Sequence, residues 1–326
     1  MTDEESSPFI CAYVLDRNGG GRDASASDID AWTPNSGLLW VHLDVLDRSA
    51  QSWVDGREDI DDVMRDALMA VETRPRAVPH DRGLLLVLRG VNMNPGSDPD
   101  DMVAIRVWLE PDRILTSRRR KLLSIQDMRD AIEAGHGPKT PGEFVVSLVE
   151  RLADRIGKVV NDIEEAIDSA EEEALERGAA ETRSKISEIR RQIASIRRYL
   201  APQRDALDRM YRQPGALFSN SEAQELREEA DRITRYLEDL DLARERAIVL
   251  QEEMLAKMAQ EQNSRMYLLS VVAAVFLPLT FVTGLLGMNV AGLPGTEDPA
   301  AFVTASVIMV ALGGALLVLF RWMKWL

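Results

Sequence analysis

The stretch "TGLLGMNVAGLPG", residues 283–295, stands where a long apolar segment gives way to a short loop. Residues 266–286 carry no charged side chain over 21 positions, and residues 300–320 form a second uncharged run of the same length. About 20 apolar residues in a helix cross the hydrocarbon core of a bilayer. The two runs therefore predict two C-terminal transmembrane helices, since buried helices of a soluble core rarely reach this length and apolarity.

Basic residues flank the two runs on one side of the predicted membrane. Arg265 precedes the first run, and Arg321 and Lys324 follow the second, whereas Glu297 and Asp298 are the charged residues between the runs. Lysine and arginine concentrate on the cytoplasmic side of membrane proteins. We therefore expect both termini in the cytoplasm, with the lipid bilayer as a partner.

Composition argues against several functional classes. The 326 residues include 54 acids against 39 bases, and this net charge of −15 argues against nucleic-acid binding, which needs a basic face. Cys11 is the single cysteine and lies far in sequence from the three histidines, so a clustered Cys/His zinc site is excluded. The sequence has no phosphate-binding loop, nucleophile elbow or metal-hydrolase spacing, so we expect neither an enzyme nor a covalently bound cofactor.

The N-terminal part has the pattern of a mixed α/β domain. Apolar runs bounded by turn residues predict strands over 9–15, 37–45 and 83–91 and a hairpin over 101–118. Helices are predicted over 49–70 and 121–134.

Helical periodicity begins at Glu143 and continues through two helices. The first seam comprises Val145, Leu148, Leu152, Ile156, Val159, Ile163 and Ile167, and the second comprises Ile186, Ile189, Ile193, Ile196 and Leu200. This three–four spacing is typical of coiled-coil packing. Because the first helix is acidic and the second basic, we expect an antiparallel hairpin with charge pairs across it.

One further helix is predicted from 221 to 288, because glycine is absent before Gly284 and proline before Pro278. At 1.5 Å per residue it would be roughly 100 Å long, so most of it must stand in water as a stalk. The chain is thus predicted to be an α+β membrane protein. Its expected parts are a cytoplasmic α/β domain (1–140), a helical hairpin and stalk (141–265), a first transmembrane pore helix (266–288), a periplasmic loop (289–299), a second transmembrane helix (300–320) and a tail (321–326).

A stripe of small, hydroxyl, amide and Met or Leu side chains follows one side of the first span. Its members are Asn263, Met266, Ser270, Ala273, Leu277, Thr280, Gly284 and Gly287. Two uncharged spans cannot enclose an ion path in one chain, so such a stripe either lines a pore among several copies or serves helix packing. The opposite face, with Leu268, Val272, Phe276, Leu279 and Leu286, suits lipid or the second span.

The residues Gly287-Met288-Asn289 at the end of the first of two C-terminal spans resemble the signature of the CorA superfamily of divalent-cation transporters. The stalk helix and the α/β domain match that superfamily too, so the resemblance covers essentially the whole chain. The loop from Gly287 to Gly295 is similar to the G-x-N-x-G-G-x-P-G pattern of its ZntB zinc-transporter branch. Ala291 departs from that pattern, and Met288 is typical of the magnesium-type members.

The resemblance implies a homopentamer with a funnel-shaped cytoplasmic domain and a central pore lined by the first span. It also implies transport of Zn²⁺, inward and proton-coupled, with Co²⁺, Ni²⁺, Cd²⁺ and Mg²⁺ as further candidate ions. A Mg²⁺/Co²⁺/Ni²⁺ channel of the CorA type is the alternative, and a membrane-anchored scaffold that oligomerises through its coiled coil is a third hypothesis.

Within such a pore, Asn289 would form a ring of amide oxygens at the periplasmic mouth, or alternatively a helix C-cap. Thr280 would add a hydroxyl ring, and Gly287 would expose backbone carbonyls beside Asn289. The other expected pore residues are the apolar constrictions Leu277 and Met266, the cytoplasmic-mouth Asn263, and Gly284 and Met288. Because the stripe has no strong metal ligand, the ion is expected to pass largely hydrated.

Three groups of charged or ligating residues outside the spans are candidates for cation binding. Glu297 and Asp298 either concentrate cations at the outer mouth or belong to an ordinary polar loop. His42 and Asp44 share one face of a predicted strand and are candidates for a zinc site. The carboxylates of 164–176 either bind a hard cation or form a solvated helix face.

Overall fold

The computed structural model describes residues 8–71, 73–81, 83–176, 179–288 and 299–323. The chain divides into two compact units, Met1–Gln251 and Glu252–Leu326.

A mixed sheet organises the first unit. Its strands are β1 (Phe9–Leu15), β2 (Gly21–Asp23), β3 (Leu38–Asp44), β4 (Arg76–His80), β5 (Gly83–Gly90), β6 (Val103–Leu109) and β7 (Arg113–Arg118). Their spatial order is β2-β1-β3-β7-β6-β5-β4. Strand β3 pairs with β7 in parallel, and the other pairings in the described sheet are antiparallel. The predicted hairpin over 101–118 is confirmed as β6 and β7.

Short helices cover the connections of this sheet. They are α1 (Ala26–Asp30), α2 (Arg48–Asp55), α3 (Asp62–Met69) and α4 (Leu123–Glu133), with a 3₁₀ turn at Pro34–Ser36. The single helix predicted over 49–70 was wrong, because α2 ends at Asp55 with Gly56 as its C-cap, and α3 begins afresh after its N-cap Asp61. The Asp61 carboxylate accepts the Val63 N–H at 2.8 Å, which satisfies one of the free donors of the new helix start.

Apolar side chains from α2 and α3 pack on one face of the sheet. Their core includes Leu68, Met64, Leu85, Trp108 and Leu115, all nearly inaccessible to solvent. On the other face Trp40 of β3 meets the Phe144 ring at 5.1 Å between centroids, so the sheet is buried on both sides. This explains why its central strands are almost continuously apolar.

Long helices make up the rest of the chain: α5 (Pro141–Glu176), α6 (Ala179–Arg212), α7 (Asn220–Leu286) and α8 (Ala301–Trp322). Both predicted seams are confirmed, since all their members on α5 and α6 are buried.

The expected charge pairing across the α5–α6 hairpin is only partly right. Lys185 of α6 bonds Glu173 of α5 at 2.6 Å. In contrast, the α6 side chain Arg197 reaches Asp241 of α7. Arginines of α7 pair with α5 as well, since Arg232 bonds Asp154 and Arg246 bonds Asp168 and Glu171.

Candidate ion path

The first apolar span is the C-terminal part of α7, and it has two distinct sides in the second unit. The stripe identified in the sequence is exposed along its length in the single chain, and Leu277 on it is 70% exposed. Val271, about 140° around the helix from the middle of that stripe, is 7% exposed. The half-buried members of the same side as Val271 are Ala274, Val275, Pro278, Leu279 and Val282.

Helix α8 contributes to covering that second side. A methyl group built on Gly313 of α8 would lie 3.6 Å from Leu279 Cδ1, which is ordinary van der Waals contact. Since residues three and four apart share a helix face, the partner helix and the stripe occupy roughly opposite sides of α7. The stripe is therefore the side that remains available to other copies of the chain or to an ion path.

Backbone groups near the end of α7 are bonded within the helix. The Gly287 N–H donates to the Thr283 carbonyl at 2.9 Å, and the Met288 N–H to the Leu285 carbonyl at 3.4 Å. The Ser270 hydroxyl donates to the Met266 carbonyl at 2.9 Å. These bonds satisfy polar groups that would find no hydrogen-bond partner in the hydrocarbon core of a bilayer.

The predicted outer ring lies outside the described residues. This applies to Asn289, Glu297 and Asp298, so their roles at the mouth stay predictions. Two of the expected pore residues, Gly287 and Met288, follow the last helical residue directly and are exposed.

The stripe offers only neutral oxygens and apolar groups to a cation. Its polar members in the described helix are Asn263, Ser270 and Thr280. Such groups hydrogen-bond the water shell of an ion but do not replace it, because dehydration of a divalent cation needs several strong oxygen, nitrogen or sulfur ligands. The side chains therefore suit passage of a hydrated ion.

His42 and Asp44 lie in the first unit, in β3. His42 is fully buried, and its Nδ1 lies 2.8 Å from the Thr116 hydroxyl. Burial, reinforced by the positive charges of Arg118 and Arg129, lowers the pKa of His42 to about 3. Within the described chain no three His, Cys, Asp or Glu side chains cluster as metal ligands.

Among the described side chains of the acidic segment 164–176, Asp168, Glu171 and Glu173 form ion pairs. The Arg246 guanidinium of α7 bonds Asp168 at 2.5 Å and Glu171 at 2.8 Å. Glu173 bonds Lys185 as described above. These contacts favour the interpretation of this segment as a charged helix face.

Sequence reasoning missed an exposed apolar row on α7 before the membrane span. Leu242 and Val249 of the first unit are both more than half exposed. The seven-residue separation of Leu242 and Val249 was the available signal, because residues seven positions apart lie on the same helix face.

Comparisons with known proteins agree on one family. The model for the CorA-like Mg²⁺ transporter protein family matches residues 35–322. The divalent cation transporter CmaX of Pseudomonas aeruginosa is 39% identical, with 98% of this chain and 97% of that protein covered. The zinc transport protein ZntB of Pectobacterium atrosepticum is 34% identical, covering 99% and 97%.

A solved structure extends the agreement to three dimensions. The structure of the full-length CmaX protein superposes with a TM-score of 0.87 at 36% identity, covering 99% of this chain and all of that one. The α/β domain, the long helix and the two C-terminal apolar helices thus form one known architecture.

Proposed function

Because the chain belongs to the CorA family of divalent-cation transporters, we propose that it carries Zn²⁺ across the bacterial inner membrane. The similarity to ZntB and the loop that follows Gly287 support zinc as the cargo. Transport of a divalent cation follows from the family itself, and the homologues' role as transporters accords with a non-enzymatic protein.

The observation that carries the proposal is the exposed stripe on α7, opposite α8. Copies of α7 arranged around a common axis would turn Asn263, Thr280 and Gly284 toward that axis, with Leu277 and Met266 as apolar constrictions. A pore that narrows at apolar rings can gate by losing its water. We propose that five copies surround this axis, with Asn289 at the periplasmic mouth and both termini in the cytoplasm.

Coupling to protons is part of the proposal, and it places the proton-binding groups outside the spans. Neither residues 266–286 nor residues 300–320 contain Asp, Glu, His, Lys or Arg. A carboxylate at the outer mouth, such as Glu297 or Asp298, or a group of the cytoplasmic unit must therefore take up the proton.

The test is cation uptake by proteoliposomes that contain the purified full chain. One set carries an internal Zn²⁺ dye and the other a Mg²⁺ dye, and both receive the same inward gradient with and without external acid. The proposal predicts Zn²⁺ uptake that external acid accelerates and that Asn289→Ala reduces. Absence of flux for every tested divalent cation would contradict it.

A CorA-type Mg²⁺ channel is the second candidate. Met288 favours it, because this residue is typical of the magnesium-type members, and the matching family model is that of a Mg²⁺ transporter. The same experiment separates the two candidates: preferential Mg²⁺ uptake that ignores the pH step favours the channel.

A further inference from the structure

A cavity of about 650 Å³ in the first unit is lined by arginines, although the whole chain has a net charge of −15. We call it the arginine pocket. Its arginines are Arg74, Arg76, Arg89, Arg106, Arg119, Arg120 and Arg198. Asp101 supplies the one carboxylate of its described lining, and Tyr199 supplies an aromatic ring.

Strand register brings these residues together. Arg76 of β4 lies opposite Val87 of β5, Val87 opposite Arg106 of β6, and Arg106 opposite Ser117 of β7. Directly opposed residues share a face of the sheet, so the side chains of these four residues lie on the side that packs against α3. Arg89 follows Val87 by two residues and lies on that same face.

Arg106 is the most unusual member of the pocket, because it is 0% exposed. Its Nη2 donates to the carbonyls of Ala70 and Val71, just beyond the end of α3. Its Nε and Nη1 have no hydrogen-bond partner in the described part of the chain. Burial, together with the charges of Arg89 and Arg119, lowers the pKa of Arg106 to about 10.

A buried guanidinium without a carboxylate beside it is unfavourable, because its charge has lost water and gained no counter-charge. Within the described residues, Asp101 is committed elsewhere, since both of its oxygens accept from Arg120. Glu72 lies outside the described residues. An anion in the pocket would provide the missing negative charge.

The other guanidinium groups leave room for such an anion. Arg89 is held in place by the Met102 carbonyl at 2.7 Å and the Thr73 carbonyl at 2.8 Å, and it lies 4.2 Å over the Tyr199 ring. The exposed arginines at the rim are Arg74, Arg76, Arg119 and Arg198. Long side chains with free donors can close on a ligand from several directions.

We propose that the arginine pocket binds a phosphate-bearing anion of at least two negative charges. The guanidinium fork matches the geometry of phosphate oxygens and makes two parallel hydrogen bonds to them. Several such forks around one cavity compensate more than one negative charge. The site lies entirely in the first unit and does not depend on which cation the chain transports.

Isothermal titration calorimetry on the purified full chain tests the proposal, in a metal-free buffer from which any chelator has been removed, because a polycarboxylate chelator would compete for the pocket. Inorganic phosphate, pyrophosphate and ATP are titrated separately, which distinguishes a simple phosphate from a nucleotide. Arg119→Gln and Arg198→Gln each remove one rim guanidinium and leave Arg106 in place. Arg235→Gln, an exposed arginine of α7 outside the pocket, is the control with the same change in charge.

We expect at least one of the three anions to bind with a Kd below about 1 mM. Each pocket variant should weaken that binding by about tenfold, because a charge-assisted hydrogen-bond pair is lost, and the control should not. Absence of binding for all three anions, or equal affinities in the pocket and control variants, would overturn the proposal. If chloride at the same concentration displaced the bound anion, the proposed preference of the arginine pocket for phosphate would be overturned.

Discussion

Thr280 places a hydroxyl on the exposed stripe of the membrane span, between Leu277 and Gly284. We predict that Thr280→Val lowers cation uptake in proteoliposomes by at least about fivefold, because a methyl group cannot hydrogen-bond the water shell of the ion. Thr304→Val is the control, since the Thr304 hydroxyl of α8 donates to the Ala300 carbonyl of its own helix at 3.0 Å. Equal uptake by the Thr280 and Thr304 variants would remove Thr280 from the ion path.

His42 predicts a pH dependence of stability. Its pKa is about 3 when folded and 6.5 unperturbed, so between these values the unfolded chain binds the additional proton. The contribution of neutral His42 to stability is therefore complete above pH 6.5 and is lost as the pH falls toward 3. The slope from this group reaches at most about 1.4 kcal/mol per pH unit.

We expect the Tm of the purified protein to fall between pH 7.5 and 5.5, and His42→Gln to reduce that fall. His136→Gln changes an exposed histidine and should leave the fall unchanged. The comparison uses the change of Tm with pH, so a variant whose Tm is lower by the same amount at every pH still tests the prediction. An identical slope in the His42 variant and the unmodified chain would contradict the assignment.

At the scale of elements, the α6 seam is a direct consequence of sequence spacing. Ile193 is fully buried, so Ile193→Ala should destabilise the first unit by about 2–5 kcal/mol through lost burial and the cavity it leaves. The neighbouring variant Gln192→Ala should change stability by less than about 0.5 kcal/mol. Thermal unfolding followed by circular dichroism measures both, and similar Tm values for the two variants would contradict the seam.

The sequence predicted those elements that are marked by a continuous apolar run or by a helical pattern that extends over many residues. Strands over 9–15 and 83–91 and the helix from 221 onward agree with the structure within two residues. Strand β4 was missed because Pro79 interrupts its pattern, and an edge strand tolerates a proline that a central strand excludes. The α2–α3 break was missed because Asp61 resembles any polar helix residue until its capping bond is seen.

Of the two candidate sites, one could be predicted from the sequence and the other could not. The stripe on α7 was predictable from three–four spacing, because the helix is regular and one helix face is fixed by its sequence. The arginine pocket was not predictable, because its arginines come from three strands, two loops and α6, which only the fold brings together. Arg106 stands within the apolar run "VAIRVWL", where nothing local distinguishes a buried arginine from an exposed one.

At the scale of the whole molecule, the exposed apolar row on α7 predicts contact between copies. Leu242 is 60% exposed in the single chain, and Leu242→Asp should shift the assembly toward smaller species in native mass spectrometry. Leu46→Asp changes an equally exposed leucine, 57% exposed, beyond the end of β3 and should preserve the assembly. An assembly of unchanged size in the Leu242→Asp protein would exclude this row from the interface.

The central claim is that the α7 stripe lines the path of the ion, and thiol labelling tests it most directly. Replacement of the buried native Cys11 by alanine gives a background without cysteine, into which Leu277→Cys or Phe276→Cys is introduced. Both positions are exposed in the single chain, but only Leu277 belongs to the stripe. A cationic methanethiosulfonate reagent should block cation uptake by the Leu277→Cys protein and spare the Phe276→Cys protein. Block of the Phe276 variant alone, or of neither, would contradict the claim.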